Sequence, residues 1–191
     1  MKILIVGGAG YIGGFLTDHL SQAGYEVTVY DSLLFENRFL KDCSFIKGDI
    51  RDSSKLDNIV HQYDAVVWLA GMVGDGACQV NPPLTKEVNV DSFLWLVDHY
   101  KGKIIFPSTC SVYGVNNNLI DETAAPNPLS LYAATKLEAE EYVLDKRPDS
   151  LVFRLGTLFG LGDRHSRMRL DLVANILSMR AAKGQELTVF G

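Results

Sequence analysis

The sequence predicts an α/β fold, a doubly wound parallel sheet, and three observations carry that expectation. Short apolar, β-branched runs alternate with segments of helical periodicity along the chain. A glycine-rich turn joins the first such run directly to the first helix. No internal repeat or low-complexity linker interrupts the alternation, so the 191 residues read as one domain with enough length to bury a core.

The elements follow in order. Lys2 to Val6 is a short branched run and predicts a buried strand. Gly7 to Gly10 is a turn. Tyr11 to Ala23 has helical spacing through Ile12, Phe15, Leu16 and Leu20, and Gly24 stops it. Glu26 to Tyr30 is a second strand ending at Asp31, Ser44 to Lys47 a third, and Ser53 to Gln62 a helix. Ala65 to Ala70 is the fourth strand. A polar, proline-containing stretch follows, then a helix over Val88 to His99 and a fifth strand over Lys103 to Pro107. Val115 to Pro128 is polar with two prolines and predicts a surface loop near the site. Ser130 to Leu144 is a helix, Ser150 to Leu155 a sixth strand, Leu170 to Ala182 a last helix and Leu187 to Phe190 a terminal strand. Helices then cover both faces of the sheet, joined by right-handed crossovers.

Composition narrows the partners. A formal net charge of −5 argues against nonspecific nucleic-acid binding. No apolar run approaches the roughly 20 residues that cross a bilayer, and the first strand runs straight into the glycine turn instead of forming a leader. Cys43, Cys78 and Cys110 have no metal-ligand spacing. They read as small buried thiols of a reduced, cytoplasmic protein, and no metal site is expected.

Gly7-x-x-Gly10-x-x-Gly13 lies between the first strand and the first helix. Ordinary Rossmann dehydrogenases carry Gly-x-Gly-x-x-Gly, but the physics is shared. Gly7 makes the tight turn, Gly10 lets the backbone approach a pyrophosphate, and Gly13 lets the helix pack close to the sheet. The anion sits at the helix N-terminus, where unpaired N–H groups and the dipole favour it. Asp31, at the end of the second strand, can accept hydrogen bonds from a ribose 2′-OH and repels a 2′-phosphate, which favours NAD over NADP.

Tyr132 and Lys136 are four residues apart, on one face of a predicted helix. A Lys cation beside a phenol favours the phenolate, so the pair predicts an acid–base Tyr with a lowered pKa. Ser108 to Gly114 ends the fifth strand, on the side of such sheets where ligands bind, and its hydroxyls can hydrogen-bond a substrate oxygen.

Taken in order, these motifs resemble the extended short-chain dehydrogenases, the NAD-dependent epimerase/dehydratase family. The resemblance rests on Gly7-x-x-Gly10-x-x-Gly13, Gly48-Asp49-Ile50-Arg51-Asp52, Leu69-Ala70-Gly71, Ser108-Thr109 through Val112-Tyr113-Gly114, and Tyr132-x-x-x-Lys136. It implies Thr109, Tyr132 and Lys136 as the catalytic triad. It implies a cofactor set that adds Tyr11, Ile12, Ser32, Asn89, Ser108, Tyr132 and Lys136 to the glycines and Asp31. Asp49 and Ile50 flank the adenine, Leu69, Ala70, Gly71 and Val73 line the nicotinamide side, and Asn89 begins a dimer-forming helix. Thr109, Thr157, Arg167, Arg169 and Asn175 become candidates for the substrate. Asp163 to Arg169 packs three Arg and a His into a short stretch of an acidic chain, which fits a diphosphate or, equally, a solvated loop partly paired with acids.

The departures are informative. Sugar-nucleotide dehydratases of the family carry Asp-Glu directly after the catalytic Thr, and decarboxylating members carry Glu at the second position. Cys110 and Ser111 stand there in this chain, which disfavours both reactions. Thr157 replaces a family Asn that helps hold substrate. The resemblance also predicts that residues 1–191 are an NAD-binding Rossmann domain, with the substrate lobe beginning near 160 and largely absent from this chain.

Three functions fit the sequence. One is NAD-dependent epimerisation of a nucleotide-diphosphate sugar, at C4 through a transient 4-keto sugar, by a homodimer. Another is an NAD(P)-dependent reductase or dehydrogenase on the same substrate class. A third is a non-catalytic NAD-binding domain.

Overall fold

A computed structural model describes residues 1–35, 37–165 and 169–188. Six parallel strands form one sheet in the order β3-β2-β1-β4-β5-β6. They are β1 (Lys2–Val6), β2 (Glu26–Asp31), β3 (Ser44–Lys47), β4 (Ala65–Trp68), β5 (Lys103–Thr109) and β6 (Leu151–Leu155). The order reverses between β1 and β4, and the carboxyl ends of those two strands open the crevice where such sheets bind ligands. The doubly wound topology predicted from the sequence is therefore the one observed.

Period-two alternation in the strands builds two cores. Leu4, Val6, Val66, Trp68, Ile104 and Phe106 point to one face, where they pack with Leu56 and Val60 of α2 (Ser53–Val60), Phe93, Leu96 and Val97 of α5 (Ser92–His99), and Ala139 and Val143 of α6 (Leu131–Lys146). Ile3, Ile5, Val27, Val29 and Val67 point to the other face, against Leu16 and Leu20 of α1 (Tyr11–Gln22) and the aromatic pair Phe39 and Phe45. The second face is only partly covered. Leu151 and Phe153 of the edge strand are about half exposed, and α7 (Val173–Ala182) contains no buried residue.

Several expected boundaries shift for local reasons. The stretch before the fifth strand holds two short helices, α3 (Asp75–Val80) and α4 (Pro82–Lys86). Pro82 and Pro83 occupy the first turn of α4, where a missing N–H costs nothing, so these prolines start a helix. The predicted Val88–His99 helix begins with a π-helical turn, Glu87–Asp91, before α5. β4 ends at Trp68, because Leu69 N and Ala70 N both donate to Val6 O (2.7 and 2.9 Å) and the chain turns there. Leu187 and Thr188 are not in a strand; the rest of the predicted terminal strand lies outside the described residues. Of the three cysteines only Cys78 is buried. Cys43 is half-buried and Cys110 exposed, because Cys110 opens a 3-10 turn (Cys110–Tyr113) that faces outward. Among the described residues, no helix is long and apolar enough to cross a membrane.

Candidate active site

The glycine turn is set by close backbone approach. Gly7 has φ +83° and its N–H donates to Tyr30 O at 2.8 Å; a Cβ there would lie 2.7 Å from Ala70 Cα. Only glycine fits a position that is both left-handed and pressed against the end of β4. A Cβ on Gly13 would lie 2.5 Å from Gly8 Cα, so Gly13 seats α1 on the turn itself, and Gly8 makes the contact with the sheet at Val29. Gly10 is the N-cap of α1. Among the described residues no side chain caps that end, and no acid occupies the first turn, so its N–H groups and its dipole are available to an anion.

Asp31 joins the turn to the loop after β2. Its Oδ2 accepts from Ala9 N (3.0 Å) and its Oδ1 from Leu33 N (2.8 Å). The second bond holds Leu33 in a left-handed conformation (φ 56°) and bends the chain over the cleft, with Ser32 exposed at the bend. Asp49 is held by Arg51 through Nε–Oδ1 (3.0 Å) and Nη2–Oδ2 (2.6 Å), which keeps its carboxyl below the usual range, and Ile50 packs half-buried on the first core.

The π-helical turn brings Asn89 inward. Its Oδ1 accepts from Met72 N (2.7 Å), and its Nδ2 donates to Met72 O (3.0 Å) and Thr135 Oγ1 (3.2 Å). These bonds clamp the segment Leu69–Val73 against α6, and a wide turn at such a position is typical of sites under functional constraint. Asn89 thus holds the loop expected to line the nicotinamide.

Thr109 and Tyr132 meet at the carboxyl end of β5, and Lys136, one turn further along α6, lies over Phe106 of the same strand. Thr109 is buried and caps the 3-10 turn, its Oγ1 accepting from Ser111 N and donating to Ser111 Oγ (both 3.2 Å). Ser130 caps α6 through Ala133 N and aims the helix so that Tyr132 meets the strand end. Burial pushes the Tyr132 phenol up, and a hydrogen bond with Thr109 opposes it. The lowered Tyr pKa expected from the Lys neighbour is thus not found in the protein by itself. Lys136 is half-buried with Nζ 3.8 Å above the Phe106 ring centroid, and desolvation brings its pKa down to about 7, so it is a weakened cation. One helical turn further, Glu140 is buried. Its Oε1 accepts from Arg154 Nε (2.8 Å) and Nη2 (2.6 Å), while Arg154 Nη1 reaches Tyr113 Oη (2.7 Å). The sequence reading missed this network. Its signal was the i, i+4, i+8 series Tyr132, Lys136, Glu140.

The segment after β6 supplies the remaining candidates. Thr157 is exposed. Arg169 holds Asp171 through Nε–Oδ1 (3.1 Å) and Nη2–Oδ2 (2.6 Å), and its charge reaches Tyr132 and Tyr11. Arg167 lies outside the described residues. Asn175 spends its amide on the backbone, accepting from Gly160 N (2.7 Å) and donating to Arg169 O (2.9 Å), which folds this segment back on itself. Tyr11 ties it to the cofactor cleft by donating to Gly160 O at 2.9 Å. A second tie was also unforeseen. Lys41 Nζ meets Asp18 Oδ2 (2.7 Å) and Asp163 Oδ1 (2.9 Å), with the Lys41 and Asp163 side chains 7% and 6% exposed.

The residues present fit a dinucleotide. The cradle excludes any Cβ at Gly7, the α1 N-terminus is uncapped, and the buried Ser108 Oγ at the end of β5 has no partner among the described residues. The sheet, the glycine turn at its switch point and the Tyr–Lys pair define a nucleotide-binding domain of the short-chain dehydrogenase type. More particularly, the chain belongs to the NAD dependent epimerase/dehydratase family, which matches residues 3–191.

Relatives are consistent with that membership. The UDP-glucose 4-epimerase of Rhizobium meliloti is 34% identical over 152 residues, covering 75% of this chain and 46% of its own length. That of Streptomyces lividans is 31% identical over 210 residues, covering 100% of this chain and 63% of its own. Among solved structures, the UDP-glucose 4-epimerase of Thermotoga maritima with UDP-glucose superimposes with a TM-score of 0.87 at 28% identity. The UDP-glucuronic acid 4-epimerase of Bacillus cereus with UDP-glucuronic acid and NAD gives 0.84 at 27%. This chain is covered completely by both and spans 66% of each. It spans about half to two thirds of the curated relatives.

Proposed function

We propose that this chain is the NAD-binding, catalytic part of an NAD-dependent sugar-nucleotide 4-epimerase. The observation that carries the reading is the meeting of Thr109 with Tyr132 at the end of β5, with Lys136 one turn along the same helix and the uncapped N-terminus of α1 at the end of β1. Gly7, Gly10, Gly13, Tyr11 and Ile12 would hold the pyrophosphate, and Asp31 and Ser32 the adenosine ribose. Asp49 and Ile50 would flank the adenine, and Leu69, Ala70, Gly71 and Val73, clamped by Asn89, the nicotinamide. When bound, NAD would supply reversible hydride acceptance at the sugar C4.

The chain's own residues do the proton work. Tyr132 Oη takes the proton of the C4 hydroxyl as the carbonyl forms and returns it after the sugar has turned its other face. Thr109 orients the reacting oxygen by hydrogen bonding. Lys136 favours the phenolate whenever it is protonated. Thr157, Arg167 and Arg169 would meet the diphosphate sugar, with Asn175 shaping the segment that carries Arg169. Cys110 and Ser111, in place of an Asp-Glu pair, leave no carboxylate beside Thr109 for dehydration, which favours epimerisation.

Residues from about 160 onward would begin the substrate lobe. The exposed hydrophobics of β6 and α7 fit a surface that such a lobe covers. We place the enzyme in the cytoplasm, where its free thiols would stay reduced. The homodimer implied by the family would pair through the α5 and α6 region.

Tyr132→Phe in the full-length protein tests the reading. NAD released on denaturation should stay at the wild-type amount, while conversion of UDP-, GDP- and dTDP-sugars without added cofactor should vanish. Unchanged turnover would sink the assignment. Activity only on added NADH, with no retained NAD, would make the protein a reductase.

A further inference from the structure

Lys136 is asked to be a cation in a place that disfavours cations. Its ammonium lies over the buried Phe106 ring, away from bulk water, and the desolvation there brings its pKa to about 7. Something must oppose that loss of charge if the Lys is to assist Tyr132. Glu140 stands one helical turn beyond Lys136 on the same face of α6 and is 2% exposed. Arg154 donates both of its hydrogen bonds to Glu140 at one oxygen, Oε1, and the buried Oε2 has no hydrogen-bond partner among the described residues. An unused buried carboxylate oxygen is costly to keep and demands an explanation.

We propose that Glu140 is a positioning residue for Lys136: Arg154 anchors one carboxylate oxygen, and the negative charge on the free oxygen keeps the Lys136 ammonium protonated beside Tyr132. The assignment rests on the proposed acid–base role of Tyr132 and Lys136.

The surroundings leave this task to Glu140. On its own helix Lys136 has Tyr132 on one side and Glu140 on the other. β5 contributes the Phe106 ring, β6 contributes Arg154, and the 3-10 turn contributes Tyr113, which is bound to Arg154. Asp75 and Cys78 of α3 and Arg169 of the segment after β6 act on the Tyr132 end. The other charges on elements packed against α6 are engaged elsewhere: Asp91 and Glu138 by Lys86, Glu87 by Arg51, and Asp98 by Tyr142. His99 stacks on Trp95. Glu140 is the charged group whose field raises the Lys136 pKa against burial.

Arg154 sets the strength of the effect. Two donors on Oε1 draw off part of the carboxylate's charge, so the Lys feels a tempered anion. Removing the carboxylate and removing its anchor should therefore move Lys136 in opposite directions, which a purely structural role for Glu140 would not do.

The test follows the 13Cε shift of Lys136 against pH in the full-length protein, with the signal assigned by its absence in Lys136→Met. In Glu140→Gln the titration midpoint should fall by about one pH unit or more, a roughly tenfold loss of proton affinity. In Arg154→Gln it should rise, and this variant decides the matter if Glu140→Gln does not fold. A midpoint that stays put, or moves the other way, in whichever variant folds overturns the proposal. Turnover of the variants separates the two readings. If Tyr132→Phe is inactive but the midpoints do not move, the acid–base reading stands and the Glu140 assignment falls. If Tyr132→Phe is active while the midpoints move as expected, the reverse holds.

Discussion

Lys41→Met removes the cation from a buried three-way ion pair and takes one hydrogen bond from the Asp163 carboxylate. Asp163 is the partner that matters, because its side chain is 6% exposed while that of Asp18 is 46% exposed and can return to water. Stripping one partner from a buried pair costs roughly 3–5 kcal/mol. Asp163 keeps other partners, among them His165 N, which donates to Oδ2 at 3.1 Å, and these soften the loss, so about 3 kcal/mol at most is expected at pH 7. In a domain of this size that lowers Tm by roughly 6–12 °C.

The pH dependence gives the sharper check. Burial pushes the Asp163 carboxyl up, but the Lys41 hydrogen bond and the His165 N–H more than offset this and hold it below its ordinary value. A depressed carboxylate contributes stability that is present above the unfolded pKa of about 3.9 and is lost as pH falls through the folded pKa. For Lys41, burial pulls down, yet the bonds from Asp18 and Asp163 raise it above its ordinary value, so its share is lost only in strong alkali. The penalty of Lys41→Met should therefore be flat from about pH 6 to 9 and shrink toward pH 4. Urea unfolding of wild type and variant at pH 7 and 4.5 measures it, and Lys41→Met/Asp163→Asn should recover about half of the loss. A penalty below about 1 kcal/mol at pH 7, or one that persists unchanged when the comparison is carried down to about pH 3, would refute the reasoning.

Two further outcomes follow from the cleft. Gly7→Ala forces a Cβ onto a left-handed residue already in contact with Ala70, and should cost at least about 2 kcal/mol and leave little NAD in the purified full-length protein, read by Tm and by cofactor release. Wild-type NAD content in Gly7→Ala would show that the cradle is not where the dinucleotide lies. Asn89→Ala leaves the Met72 backbone N–H and C=O without their side-chain partner, for about 2–3 kcal/mol, and should speed hydrogen exchange of the Met72 amide well beyond that of the β4 core amides.

The sheet was legible because its signals are local. Branched runs such as Lys2–Val6 and Ala65–Trp68 are apolar at every buried position, and glycines that no other residue could replace punctuate them. The Tyr132–Lys136 pair was legible because a helix turns spacing into geometry. Its electrostatics were not: a Lys four residues from a Tyr reads as a fixed positive charge, whereas burial over Phe106, contributed by a strand 30 positions earlier, desolvates the ammonium and weakens that charge.

By itself, then, the sequence determined the order and type of the six strands, the glycine cradle and the placing of Tyr132 and Lys136 on one helix, since each follows from periodicity or from a residue type that a single backbone position demands. Only the tertiary structure decided where long-range partners come from. It set Arg154 against Glu140, Lys41 against Asp163, and Asn89 onto Met72 by way of a π-helical turn that no heptad or 3.6-residue count would reveal. Those contacts join residues 14, 122 and 17 positions apart, and the free energy that selects them is the avoidance of unpaired polar groups in a dry interior, a condition that exists only once the chain has closed.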